Sequence, residues 1–436
     1  MKKNRASVAL ASAASYGIPA VVSAAIPAAT PSAISRRRFL ALAGAGLAST
    51  AMPAWAQGAR EPIRIGLLAP LTGGGGPYGQ GMANAAQKAA DYINAQAGGL
   101  LGGRPLQVVV ADDESNPTAG VAATRKFLDV SNVAAIAGVW SSAVAMAVKP
   151  LALERGVPLL VSGSGDEVTQ GDNKGLVYRF QSRGSDWGPV FARAIHKAGG
   201  KKASVLALQT PFTLSLANPF AEAFKAGGGQ ILDVVYYNPG QASYRAEVEK
   251  VFLREPDAVF IPSYLPDLSA VAREIFRAGF TSTVYANSSA ADAEGAFIKN
   301  VGAEVAQGIH HIQSIPPLRS TSYQTFAQAT GTDPKSIAIF PSNVWDQIAV
   351  LALAIEQAGS ADPAVYAAHI PQVVNGNGGK VENPVEGLKA IRARQAVAYS
   401  GAGSQFTFTA TGDQVNREYG HFLIDQGRNK LLEVLH

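Results

Sequence analysis

Four short stretches combine residue types that could do chemistry. Gly74-Gly75-Gly76-Pro77-Tyr78-Gly79 is a formal G-x-G-x-x-G, the backbone pattern that cradles a dinucleotide pyrophosphate. Four consecutive glycines satisfy that pattern by accident, however. Pro77 removes an amide that a phosphate would use, and the next acids, Asp112 and Asp113, lie well past the usual spacing of about 20 residues. Ser162-Gly163-Ser164-Gly165 fails as a nucleophile elbow, because Ser162 stands where a glycine is required. His310 and His311 are adjacent on an expected strand and so point to opposite faces; no H-E-x-x-H and no G-x-x-x-x-G-K-[ST] is present. The fourth stretch, Val139-Trp140-Ser141-Ser142, carries two hydroxyls into the start of a helix, where free amides and capping side chains can hold a carboxylate or carbonyl oxygen. A helix cap alone would account for Ser142. The polar loop Ser162-Gly163-Ser164-Gly165-Asp166, ending the next strand, favours a site. No catalytic constellation and no metal site emerges; the chemistry on offer is binding.

These residues need a scaffold, and the periodicity supplies one. The chain has 436 residues, 47% hydrophobic and 16% charged, enough for two ordinary domains with buried cores. From Glu61 onward, short apolar runs alternate with helical patterns, the signature of parallel sheets covered on both faces. Strands are expected at Ile63–Ala69, Leu106–Ala111, Ala134–Gly138 and Pro158–Val161, with helices from Gln80, Thr118 and Ser142. After Gly184 the pattern resumes with a helix near Trp187–Ala198 and strands at Ala203–Leu208, Ile231–Tyr236, Ala258–Ile261 and Val284–Ala286. The expectation is an α/β fold of two doubly wound parallel-sheet lobes joined by short crossovers near Tyr178–Gln181 and Gly308–Ile315. The glycine-rich runs of Val373–Thr411 are expected as surface loops of the first lobe.

Charge and cysteine content narrow the function class. The net charge of +5 comes from Lys2, Lys3, Arg5, Arg36, Arg37 and Arg38, which precede every acid; removing these six leaves the rest near −1. Such a body offers no footprint for nucleic acid or an anionic membrane. Ser35-Arg36-Arg37-Arg38-Phe39-Leu40, the apolar stretch to Met52 and Ala54-Trp55-Ala56 read as a twin-arginine export signal on residues 1–56, cut near Ala56. Its apolar run is too short to span a bilayer permanently. The absence of cysteine excludes a lipid-anchored cysteine, disulfides and thiolate metal ligands.

Several motifs, taken in order, resemble the leucine/isoleucine/valine-type periplasmic binding proteins of ABC transporters. They are Ile63-Arg64-Ile65-Gly66-Leu67-Leu68-Ala69-Pro70-Leu71-Thr72-Gly73, Asp91-Tyr92-Ile93-Asn94, Val110-Ala111-Asp112-Asp113-Glu114-Ser115-Asn116-Pro117, Ala137-Gly138 to Ser142, Val157-Pro158-Leu159-Leu160, Phe180 with Arg183, Pro256-Asp257-Ala258-Val259 and Gly412-Asp413. The resemblance, from about residue 61 to the C-terminus, implies the type I fold with three crossovers: one lobe from 61–179 plus 313–419, the other from 180–312 plus 420–436. It implies a periplasmic monomer that hinges shut on a small solute and is recognised by permease subunits, without cofactor and without membrane insertion once the signal is removed. Ser142 matches the serine that holds an amino-acid carboxylate, and Trp140 matches a side-chain wall. Gly165 falls where a threonine is usual, with Ser164 beside it. Phe212 replaces a common tyrosine, and Ser288 or Asn287 stands in place of the acid that pairs with an α-ammonium.

Loss of that acid argues against an ordinary α-amino acid, because a desolvated ammonium without a carboxylate costs on the order of several kcal/mol. The expected site is therefore Tyr78, Trp140, Ser141, Ser142, Ser162, Gly163, Ser164, Phe212, Tyr264, Asn287 and Ser288, an aromatic cleft suited to a flat or apolar solute bearing a carboxylate or amide oxygen. Trp187 could join it, with core packing as the competing role. Amides and urea are the next class; branched-chain amino acids fit only if another position supplies the acid. From a different class, a twin-arginine-exported, nucleotide-cofactor oxidoreductase is the alternative.

Overall fold

The computed structural model describes residues 60–435 apart from Asn173, Ala293 and Phe406; the export signal read from residues 1–56 lies outside the described residues. Five apolar runs form an all-parallel sheet: β1 (Ile63–Ala69), β2 (Leu106–Asp112), β3 (Ala135–Val139), β4 (Leu159–Val161) and β5 (Val177–Arg179), in the order β2-β1-β3-β4-β5. Every residue of β3, β4 and β5 is buried, as befits strands covered by helices on both faces. A second sheet repeats this order with β6 (Lys202–Leu208), β7 (Gln230–Tyr237), β8 (Ala258–Ile261), β9 (Thr283–Asn287) and β10 (His310–Ser314), arranged β7-β6-β8-β9-β10.

The returning chain adds detail that apolar periodicity did not foretell. Instead of loops alone, residues 370–415 form the helices Ile370–Asn375 and Pro384–Arg392, the short parallel pair β11 (Gly379–Val381) and β12 (Val397–Tyr399), and the antiparallel pair β13 (Thr407–Phe408) and β14 (Gln414–Val415). Then β15 (Tyr419–Asp425) pairs antiparallel with β10, and β16 (Arg428–Leu435) closes that edge, so the second sheet is mixed. Gln426 and Gly427, both with positive φ, make the tight turn between β15 and β16.

The helix Ile339–Ala358 is buried on almost every side, and its apolar side chains share one core with β1, β2 and the helix Gly76–Ala97. A helix apolar all round is a core element of a large protein. Among the described residues no single helix is long and apolar enough to cross a membrane.

The two neighbouring histidines of β10 make separate contacts. His310 Nδ1 lies 2.9 Å from His421 Nε2. His311 is fully buried, stacked on Phe422 and 2.8 Å from Asn429 Oδ1, and its Nδ1 has no partner. Burial pushes His311 down to about 4 from an ordinary value of 6.5. A base depressed in the folded state contributes stability above its unfolded pKa and loses it as pH falls toward the folded one. Unfolding by urea should therefore show stability falling between pH 6.5 and 4, with His311 accounting for about 3 kcal/mol of the change. A His311→Gln variant should flatten that slope; an equally steep slope would remove His311 from the explanation.

Candidate functional site

In open α/β sheets a ligand crevice lies beyond the carboxyl ends of the strands, where successive connections leave in opposite directions. The order β2-β1-β3 puts that point between β1 and β3, and the order β7-β6-β8 puts it between β6 and β8. The segments following β1, β3, β4, β6, β8 and β9 carry the residues singled out above.

After β1, the glycine run serves close packing. A Cβ at Gly75 would lie 2.7 Å from the Trp140 ring and 2.8 Å from Pro70, and one at Gly79 would lie 2.1 Å from the Pro70 carbonyl oxygen. The Gly75 amide donates to Ser115 Oγ at 2.9 Å. A loop whose glycines are filled by its own neighbours gives the dinucleotide reading no support.

After β3, Gly138 takes φ +90, where a Cβ would meet Leu67 at 2.6 Å, and its amide donates to Gln347 Oε1 at 2.7 Å. The helix begins at Ser142, so the capping residue is Ser141, which has extended backbone and a hydroxyl that accepts from the Val144 amide at 3.4 Å. Ser142 is not the cap; its Oγ accepts from the Gly165 amide at 2.9 Å. This explains the glycines of the next loop. A Cβ at Gly163 would lie 2.9 Å from Ser142 Oγ and one at Gly165 would lie 2.9 Å from Ser142 Cβ, so Ser142 occupies the space that a threonine at 165 would need.

The loop after β4 is anchored from behind by Arg179 at the end of β5. This fully buried guanidinium donates to Asp413 Oδ1 at 2.8 Å, to the Gly165 carbonyl at 2.8 Å and to the Gly163 and Asp166 carbonyls at 3.3 Å. A planar donor fork holds several acceptors in fixed directions. Ser162 Oγ in turn accepts from Gln347 Nε2 at 3.0 Å.

From the other sheet come Phe212, in a helix capped by Thr210 and Thr213, Tyr264, which precedes the helix Leu265–Ala278, and the turn at Ser288 and Ser289. Tyr264 and Trp140 meet with ring centroids 5.0 Å apart, and Tyr264 stacks on Phe212 at 6.0 Å. The Tyr264 hydroxyl bonds to Thr210 and Ser141; burial pushes it up to about 12, so it remains a donor at neutral pH.

Together these segments close around a tight cavity with only about 10 Å³ of free space. Of the expected residues, Trp140, Ser162, Ser164, Phe212, Tyr264 and Ser288 line it. Gln181, Trp187, Ser289 and Phe340 line it too and were not among the expected site residues. Trp187 packs against Phe191, Phe212 and Tyr419, so the expected core role is real, yet its indole Nε1 is buried without a partner at the cavity. Its position in the first turn of a helix, like that of Trp140 beside one, is a signal that sequence reasoning could have used. Phe340 lies 200 residues along the chain from Trp140, and nothing local marks it. Ser288 Oγ is the second buried polar atom here without a partner.

The remaining expected residues are placed otherwise. Asn287 is consumed by Ser263, accepting from its amide at 2.8 Å and donating to its carbonyl at 3.1 Å. Ser141, Ser142 and Gly163 shape the wall without lining the cavity. Tyr78 packs against Trp140 and Phe340, and its hydroxyl donates to the Ser288 carbonyl at 3.1 Å in an adjoining cavity.

A family model described as periplasmic binding protein matches residues 62–423. The chain is 28% identical to a Leu/Ile/Val-binding protein of Rhizobium johnstonii, over 71% of this chain and 83% of that one. Its fold is similar to the branched-chain amino acid transporter substrate-binding protein LivJ of Streptococcus pneumoniae in complex with isoleucine, with a TM-score of 0.71 at 21% identity over 86% of this chain and 99% of that chain. It is similar also to an ABC transporter solute-binding protein of R. palustris in complex with benzoate, with a TM-score of 0.67 at 20% identity over 86% and 96%.

Proposed function

From the premise that this chain belongs to the periplasmic binding protein family, we propose that it is the exported receptor of an ABC uptake system, which captures a flat, aromatic or apolar solute bearing a carboxylate or amide oxygen and releases it unchanged. The observation that carries this reading is the cavity between the carboxyl ends of the two sheets, walled by Trp140, Trp187, Phe212, Tyr264 and Phe340 and supplied with unpartnered donors at Trp187 Nε1 and Ser288 Oγ. Aromatic faces suit a planar guest, and buried donors without partners gain most from an oxygen acceptor.

The two sheets, with their covering helices, act as lobes divided as the resemblance implies, and ligand favours the closed arrangement that the permease recognises. Only a difference in affinity between open and closed states is needed for this. The receptor works in the periplasm as a monomer, delivered by the twin-arginine signal. Relatives of this fold hold isoleucine in one case and benzoate in another, so the cavity lining decides the solute rather than the fold.

A thermal-shift screen across amino acids, aromatic acids, short amides and urea tests the reading. At a hundred-fold excess over Kd, a true ligand stabilises by about 2.7 kcal/mol. Aromatic acids should give the largest shift; leucine or valine giving the largest would overturn the assignment of the solute class.

A further inference from the structure

We propose that a second chamber beside the aromatic cavity receives a cationic nitrogen group of the solute, with Asp292 as its counter-ion and Ser288 Oγ and Tyr78 as its flanking oxygens. This rests on the receptor reading above and names the solute more narrowly: a flat body carrying an ammonium or amidinium at one end.

The chamber, with about 30 Å³ of free space, shares Ser288 and Phe340 with the aromatic cavity, so a guest that parts these walls would meet both. Asp292 is 8% exposed, and no cation among the described residues holds it. Its Oδ2 accepts from the Tyr78 hydroxyl at 3.4 Å and its Oδ1 from the Ala296 amide at 3.4 Å, and the Glu294 and Gly295 amides also bond to the carboxylate, all of them uncharged donors. Burial holds its carboxyl above the usual carboxylate range, a strain that a cationic guest relieves. Independently of the carboxylate, Ser288 Oγ is buried without any partner where the two cavities meet. Glu294 adds a second carboxylate at the exposed side of the same chamber. The charged groups gathered here are carboxylates, joined by hydroxyls and by the Gln313 amide, which can serve either way; an anion would find the carboxylates repulsive and a nitrogen cation with several N–H donors would satisfy them. The remaining wall is the buried Gln313 amide and the apolar side chains of Ile337, Ile339 and Pro341. That wall suits the methylene stem of an organic cation rather than a divalent metal, which takes six or more oxygens.

Calorimetry with a matched pair of probes, 4-(aminomethyl)benzoate and 4-(hydroxymethyl)benzoate, tests this directly on the purified protein. The wild type should bind the ammonium probe about ten-fold or more tighter than the hydroxyl probe. The isosteric Asp292→Asn variant should bring that ratio to about one. A wild-type ratio near one overturns the proposal without any variant, as does a preference that survives in Asp292→Asn, which would make the Tyr78–Asp292 contact purely structural. Binding of the hydroxyl probe that is lost in Trp140→Ala, with no gain from the ammonium, would leave the aromatic receptor standing and remove only the cation chamber. Failure of both probes overturns the cation chamber, and the receptor reading then stands or falls with the thermal-shift screen.

Discussion

Trp140→Ala is expected to weaken solute binding about 100-fold while the protein still folds. The indole is 4% exposed and forms the centre of the aromatic wall, 5.0 Å from Tyr264, 5.8 Å from Tyr78 and 6.0 Å from Phe340 between ring centroids. Tyr264 belongs with the second sheet and the other two with the first, so this ring carries contact from one side of the cavity to the other. Truncating a central, desolvated aromatic anchor costs about 2–4 kcal/mol of binding, or roughly 30- to 1,000-fold in Kd. The protein also loses packing, because Gly75 is shaped to the indole and no side chain there can fill the void. Titration calorimetry gives the affinity and urea unfolding gives the stability. An unchanged Kd in a folded variant would place the solute elsewhere.

Asp413→Asn is expected to destabilise the fold by about 3–5 kcal/mol, because it leaves the Arg179 guanidinium buried without its counter-charge. The pair is almost completely out of water, with side chains 0% and 4% exposed at 2.8 Å. Burial alone pulls the arginine below its ordinary range, and Asp413 is the largest influence opposing this. Asp413 Oδ1 also accepts from Thr169 Oγ1 at 2.9 Å. The loss should reach the site, since the same guanidinium holds the carbonyls of Gly163, Gly165 and Asp166 behind Ser162 and Ser164. Replacing both partners, as in Arg179→Met with Asp413→Leu, should restore much of the stability because no orphan charge remains. A loss under about 1 kcal/mol in the single variant would mean that water or another group compensates Arg179.

Much of the fold was legible because parallel strands covered on both faces are written as unbroken apolar runs, and β1 and β8 have the bounds expected for them. β15 and β16 were missed because β16 is an edge strand with alternating exposure and mixed polarity, and its partner follows a polar stretch. Around the site, strand ends could be read but the use of each hydroxyl could not. Ser141 and Ser142 are equivalent on paper. One caps a helix and the other fills a gap left by two glycines 21 and 23 residues later, which is known only when the loop after β4 is seen against the helix.

The sequence by itself determined the alternation of strands and helices, the doubly wound order, and the placement of small polar and aromatic residues where strands end, since each follows from local periodicity and from turn chemistry. Tertiary structure alone decided which of those residues share a cavity. Phe340, Trp187 and Gln181 join Trp140 there, Asn287 is taken by Ser263, and Asp292 is left as a buried carboxylate that no cation among the described residues holds. The physical reason is that burial and hydrogen-bond satisfaction are properties of a neighbourhood, and in this molecule the neighbours lie up to two hundred residues apart along the chain.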